Sequence, residues 1–155
     1  MGSSVWVILR HCHAWSTRVE CLNLTRPSTH TVEPHSVKLP YPVSDIMATY
    51  VGGGATGSDD DSGFIIITGG CDSVKGNERS SWDENLFVCM STSNRTLRFD
   101  PFSDKVTEVA PAPHARQRHA AVVVDGIEVW VVGGRDTDDN LVTAIDVSRK
   151  SLTKR

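Results

Sequence analysis

Short β-branched runs alternate along this chain with polar, glycine-rich stretches. The clearest case is Arg118 to Asp136, RHAAVVVDGIEVWVVGGRD. Ala120 to Val124 and Ile127 to Val132 are apolar and valine-rich, and Asp125-Gly126 separates them. Runs of this length around a D-G step predict a β-hairpin, because that pair accepts the positive φ of a tight turn. Both runs are near-continuously apolar, so both faces of each strand are expected to be covered. Gly133-Gly134 ends the second run. Residues without a Cβ let a chain bend sharply or let another backbone pass close by. GFIIITGGCD, Gly63 to Asp72, has the same form: a β-rich run, a glycine pair, then an Asp.

The two stretches belong to a longer repeat. After Gly69-Gly70 and a polar loop comes RTLRFDP, Arg95 to Pro101; after Gly133-Gly134 comes LVTAIDV, Leu141 to Val147. Asp100 and Asp146 align, giving a period of about 46 to 50 residues. PFSDK then turns the chain into KVTEVAPAP, a fourth strand. The N-terminal third fits the template less cleanly. Val5 to Leu9, Val19 to Thr25, Thr29 to Pro42 and Asp45 to Gly53 read as strands, with Leu9-Arg10 where a glycine pair belongs. Two insertions lengthen the middle unit, Gly54 to Gly63 and Cys71 to Asn94. Loops absorb such changes more easily than strands do. Four short strands per unit at this period describe a propeller blade.

Composition narrows the function classes. The 155 residues give room for one ordinary domain, and 39% hydrophobic with 23% charged residues is a globular balance. A formal net charge of −3 argues against nucleic acid or an anionic membrane as partner. No apolar run reaches the roughly 18 residues of a membrane span. The N-terminus lacks a basic region before its short apolar core and so makes a poor signal peptide. It also has Trp6 where a myristoylation signal needs Ser or Thr. Four cysteines, Cys12, Cys21, Cys71 and Cys89, form no C-x-x-C pair. They are read as free thiols in a reducing, cytoplasmic setting, and neither a zinc site nor a redox motif is indicated. The sequons at Asn23 and Asn94 are then chance matches.

The repeat resembles the kelch family of β-propellers. The residues that carry the resemblance are Gly69-Gly70 and Gly133-Gly134, the strand start at Arg116, Arg118, His119 and Ala120, and the turn Phe99-Asp100-Pro101. It is good from Gly63 to Asp146. A kelch blade usually has a Trp in its fourth strand, where this chain has Val106 or Val109. The expected fold is therefore all-β, a partial kelch-type propeller of four-stranded antiparallel blades. Residues 1–44 form an incomplete first blade, 45–113 a full blade with two insertions, and 114–155 an incomplete final blade. Each repeat alone cannot bury its apolar faces, so self-assembly to close the ring is expected if nothing else covers them. The resemblance implies a non-enzymatic scaffold or adaptor that binds another protein through its loops, with no cofactor and no metal. A fragment of a propeller enzyme, such as a sugar oxidase or epimerase, is the alternative, as is a nonfunctional remnant. A copper oxidase would gather two Tyr, a Cys and His at one mouth. This chain has only Tyr41 and Tyr50.

Candidate partner-binding residues fall in two places. The long insertion carries Arg79, Trp82 and Asp83; Trp and Arg are common interface anchors. Arg116, Arg118 and His119, with His114, form a polar knot before a strand. It reads either as donors for an acidic peptide or as an arginine satisfying backbone carbonyls between blades. Asp59-Asp60-Asp61 lacks the alternating acidic spacing of a calcium loop. Arg10-His11-Cys12-His13 has no partner ligand cluster. Cys21 and Cys89 sit in or beside apolar runs, where a thiol is inert.

Overall fold

The structure is a computed structural model that describes residues 4–7, 16–23, 32–52, 63–74, 89–126 and 128–148. Its strands are β1 (Ser4–Val7), β2 (Ser16–Asn23), β3 (Val32–Val43), β4 (Met47–Val51), β5 (Phe64–Thr68) and β6 (Cys71–Val74). They continue with β7 (Cys89–Thr92), β8 (Thr96–Asp100), β9 (Lys105–Val109), β10 (Ala120–Val124), β11 (Glu128–Val132) and β12 (Asp146–Ser148). No helix occurs among the described residues, so none is long and apolar enough to cross a membrane. The fold is all-β, and every strand pair is antiparallel.

Three sheets follow in chain order: β1-β2-β3, β4-β5-β8-β9 and β10-β11-β12, with β6-β7 as a separate hairpin. The positive-φ turn forms at the D-G step, with φ of 52° at Asp125 and 73° at Gly126, but Val124 pairs with Glu128, one residue later than a two-residue turn would give.

The middle sheet is covered on both faces, which explains its continuous apolar run. All five residues of β5 are buried. Ile65 and Ile67 pack with Leu39 and Val43 of β3 and with Leu97 and Phe99 of β8. Phe64 and Ile66 turn the other way and join Val51, Val129 and Val131, with Ala121 and Val123 of β10 against them. Full burial of such a side chain stabilises the fold by about 1.5–3 kcal/mol, so β5 is the spine of both clusters.

Three expectations need correction. Among the described residues the last sheet has one covered face, not two. Val129 and Val131 are buried, but Val122 and Val147 are each 50% exposed. Second, the final strand is Asp146–Ser148, shorter and later than Leu141 to Val147. Third, the long insertion is not a plain loop, and Cys71 and Cys89 are not free thiols. The insertion starts and ends in the β6–β7 hairpin, which a Cys71–Cys89 disulfide crosslinks. That pairing overturns the reading of Cys89 as an isolated thiol.

Candidate functional site

The polar knot lies where the strand leading into one sheet crosses the glycine pair that ends β5. The backbone of His114 to His119 is stitched on both sides. Gly70 N donates to Arg116 O at 2.8 Å, and Arg116 N donates to Ser93 O at 3.1 Å. Gln117 and Arg135 exchange two bonds, of 2.9 and 3.0 Å. The glycines are required by this closeness. A Cβ on Gly69 would sit 2.5 Å from Arg116 O and 2.7 Å from His119 Cε1; one on Gly134 would sit 2.6 Å from Gln117 O. Gly69 and Gly134 also have φ of 58° and 90°, where L side chains are strained.

The junction is built twice. β4 pairs Ala48 with Ile67, and β10 pairs Ala121 with Val131, so Ala48 and Ala121 are equivalent. Counting back, Asp45 matches Arg118, and both have φ of 52°. Ser44 bridges to Cys71 as Gln117 bridges to Arg135, and Gly70 packs on Ser44 O as Gly134 packs on Gln117 O. One difference is informative. Gly69 meets the following strand start, whereas nothing among the described residues lies within 4 Å of a Cβ on Gly133.

The same register changes what Asp146 is. β5 pairs Ile67 with Leu97, and β11 pairs Val131 with Asp146. Asp146 therefore stands at the place of Leu97, not of Asp100. Asp100 caps a turn, its Oδ1 accepting from Phe102 N at 2.9 Å and Ser103 N at 3.2 Å. Likewise Arg116 stands at the place of Val43. The apolar pair Val43 and Leu97 in one repeat becomes the ion pair Arg116 and Asp146 in the next.

Arg116 is fully buried. Its Nη2 donates to Asp146 Oδ2 at 2.8 Å, and its Nη1 donates to the carbonyls of Gly133 at 2.9 Å and Ala144 at 3.0 Å. A guanidinium suits this spot because its planar fork serves several acceptors at once. The other Asp146 oxygen lies 2.6 Å from His114 Nδ1, and His114 N donates to Oδ2 at 3.1 Å. His119 is buried, with Nε2 2.8 Å from Thr68 Oγ1. Burial first, and the Arg116 charge second, push its pKa down to about 4, so the ring is neutral at physiological pH. Arg118 pairs with Asp45 at 3.8 Å and keeps its side chain 46% exposed.

The sequence candidates therefore separate. Arg116 and His119 are buried and serve the junction between sheets, off the surface a partner could touch. Arg118 is open to a partner. Arg79, Trp82 and Asp83 lie outside the described residues, as do Asp59 to Asp61 and the His11 to His13 stretch. Among the described residues no group of three His, Cys, Asp or Glu could hold a metal ion. The residue that sequence reasoning missed is Asp146. Its partners His114 and Arg116 are some 30 positions away, and only the β11–β12 register brings them together.

No family model and no curated protein matches the chain. Solved structures resemble it, among them the structure of YjhT, with a TM-score of 0.57 and 16% identity over 88% of this chain. That match covers 34% of the YjhT chain, so this chain spans about a third of its length. The likeness is one of fold alone.

Proposed function

We propose that the chain is a section of a kelch-type β-propeller acting as a non-enzymatic scaffold that binds another protein through the loops between its strands. The observation that carries this reading is the doubled junction. Two glycine pairs seat on two strand starts, with Asp45 and Arg118 in the same unusual conformation. The stacked sheets β1-β2-β3, β4-β5-β8-β9 and β10-β11-β12 support it. So does the likeness to the longer YjhT structure. Rigid stacked sheets are what a blade needs, and loops at their ends are free to vary and to bind. The uncovered face at Val122 and Val147 leaves room for a further sheet, which a second copy would supply by self-assembly.

Arg118 and the insertion that carries Arg79, Trp82 and Asp83 are the proposed contacts. The test is affinity capture with the wild-type chain and with an Arg118→Glu, Arg79→Ala, Trp82→Ala variant of equal stability. Loss of specific partners in the variant supports the reading. Identical recovery removes it.

One observation favours a second reading, a fragment of a propeller enzyme acting on a sugar. Asp146 holds the half-exposed His114 ring through Nδ1, and this reading assigns the other ring nitrogen as the proton acceptor. Epimerase turnover that disappears in His114→Gln would favour this reading over the scaffold.

A further inference from the structure

We infer that Cys71 and Cys89 are a dithiol oxidised during maturation, that the chain therefore passes through an oxidising compartment, and that the crosslink seats the β6–β7 insertion on the junction. This stands whether the chain is a scaffold or an enzyme. The two cysteines are 18 positions apart, with Cα atoms 5.7 Å apart, within the range a disulfide spans. Cys71 is fully buried and Cys89 is 7% exposed. Disulfides persist in secretory and periplasmic spaces and are rare in the cytosol, where thiol reductants keep cysteines reduced. On this inference the compartment is an oxidising one, unlike the cytoplasmic setting expected from the sequence.

The hairpin gives the crosslink something to do. Each strand has four residues, and the pairing slips between Cys71 and Ser73 and again between Ser73 and Val74. A two-stranded ribbon with so irregular a ladder is marginal by itself. Yet its root belongs to the site. Cys71 N donates to Ser44 O at 2.8 Å, and Ser93 N donates to Gly70 O at 2.8 Å. Ser93 O in turn accepts from Arg116 N. At the end of β7, Thr92 N donates to Thr137 Oγ1 at 3.0 Å, and the two hydroxyls lie 2.9 Å apart. The crosslink thus fixes the segment that ties the second repeat to the third.

The chemistry balances by exchange. One cysteine thiolate attacks the disulfide of an oxidised dithiol catalyst and forms a mixed disulfide. The second thiolate then attacks the mixed disulfide and forms the Cys71–Cys89 bond. The catalyst leaves as a dithiol carrying the two electrons and two protons.

The test uses the full chain made by two routes, one through a secretory pathway and one in a reducing cytosol. Peptides are mapped without reduction after iodoacetamide blocking. The secretory product is expected to yield a crosslinked peptide containing Cys71 and Cys89, about 2 Da lighter than the dithiol form. Backbone exchange is followed before and after reduction. The amides of Cys71, Ser93 and Arg116 are expected to exchange roughly tenfold faster after reduction. The Cys71→Ser, Cys89→Ser double variant is expected to match the reduced chain; if it does not fold, the reduced wild type carries the comparison. Alkylation of both cysteines when the secretory product is unfolded in iodoacetamide without reductant overturns the oxidised pair. Equal exchange before and after reduction overturns its role in seating the insertion.

Discussion

Removing the Arg116 guanidinium should cost the fold about 4 kcal/mol, because taking one partner out of a buried ion pair typically costs 3–5 kcal/mol. Arg116→Val leaves the buried Asp146 carboxylate with only its His114 contacts and frees the carbonyls of Gly133 and Ala144. The reverse change, Asp146→Leu, leaves a buried cation that still has those carbonyls, and should cost about 3 kcal/mol. The protein itself supplies the double replacement. Val43 and Leu97 occupy the equivalent places one repeat earlier, and both are buried in the same cluster. A buried pair replaced by apolar residues of fitting shape is often neutral, so the double variant should lose only about 2 kcal/mol, mostly from the two freed carbonyls. The singles and the double are measured by urea unfolding, followed by tryptophan fluorescence at constant m. Singles that fall near the limit of stability are compared in an added osmolyte. The expected coupling is at least about 3 kcal/mol. If the two losses add within about 0.5 kcal/mol, the residues are independent and the reading of this pair is wrong.

Other outcomes follow from the same geometry. His119 is neutral in the fold with a pKa near 4 and takes up a proton near 6.5 when unfolded. Its contribution is therefore complete above pH 6.5 and is lost as the pH falls toward 4, by roughly 2 kcal/mol after allowance for residual solvation. His119→Gln should flatten that part of a stability-against-pH profile. Gly134→Ala should lower the urea midpoint by about 2 kcal/mol or more, since the new methyl meets Gln117 O at 2.6 Å in a strained backbone. Ile66→Ala should cost about 3–4 kcal/mol, whereas Val122→Thr on the open face should change unfolding by under about 1 kcal/mol. Equal losses at Ile66 and Val122 would mean that the outer face is covered in solution.

What the sequence reveals depends on how local the cause is. The Asp125-Gly126 hairpin is legible because its turn chemistry lies in two adjacent residues. The glycine pairs are legible as sites of close approach, although nothing local names Arg116 and His119 as the groups that approach. Asp146 is misread for a physical reason. The polar loop after Gly134 differs in length from the one after Gly70, so aligning aspartates sets the strand three places out. Only hydrogen-bonded register corrects it. The valines of β10 and β11 fail differently: hydropathy records that a face can be buried, not that a neighbour is there. The Cys71–Cys89 pair is hidden because both cysteines lie within the insertion and meet through a hairpin with weak strand signals of its own.

The shared position of β5 sets the order in which the molecule comes apart. Its odd residues hold one cluster and its even residues the other, so neither can melt without disturbing the strand that walls both. The β10–β12 sheet depends on a single cluster and has a face in water. Opening should therefore travel inward from β12 through β11, as fraying does in stacked repeats. The amides of Ile65 to Ile67 should be the last to exchange, protected until the whole stack lets go.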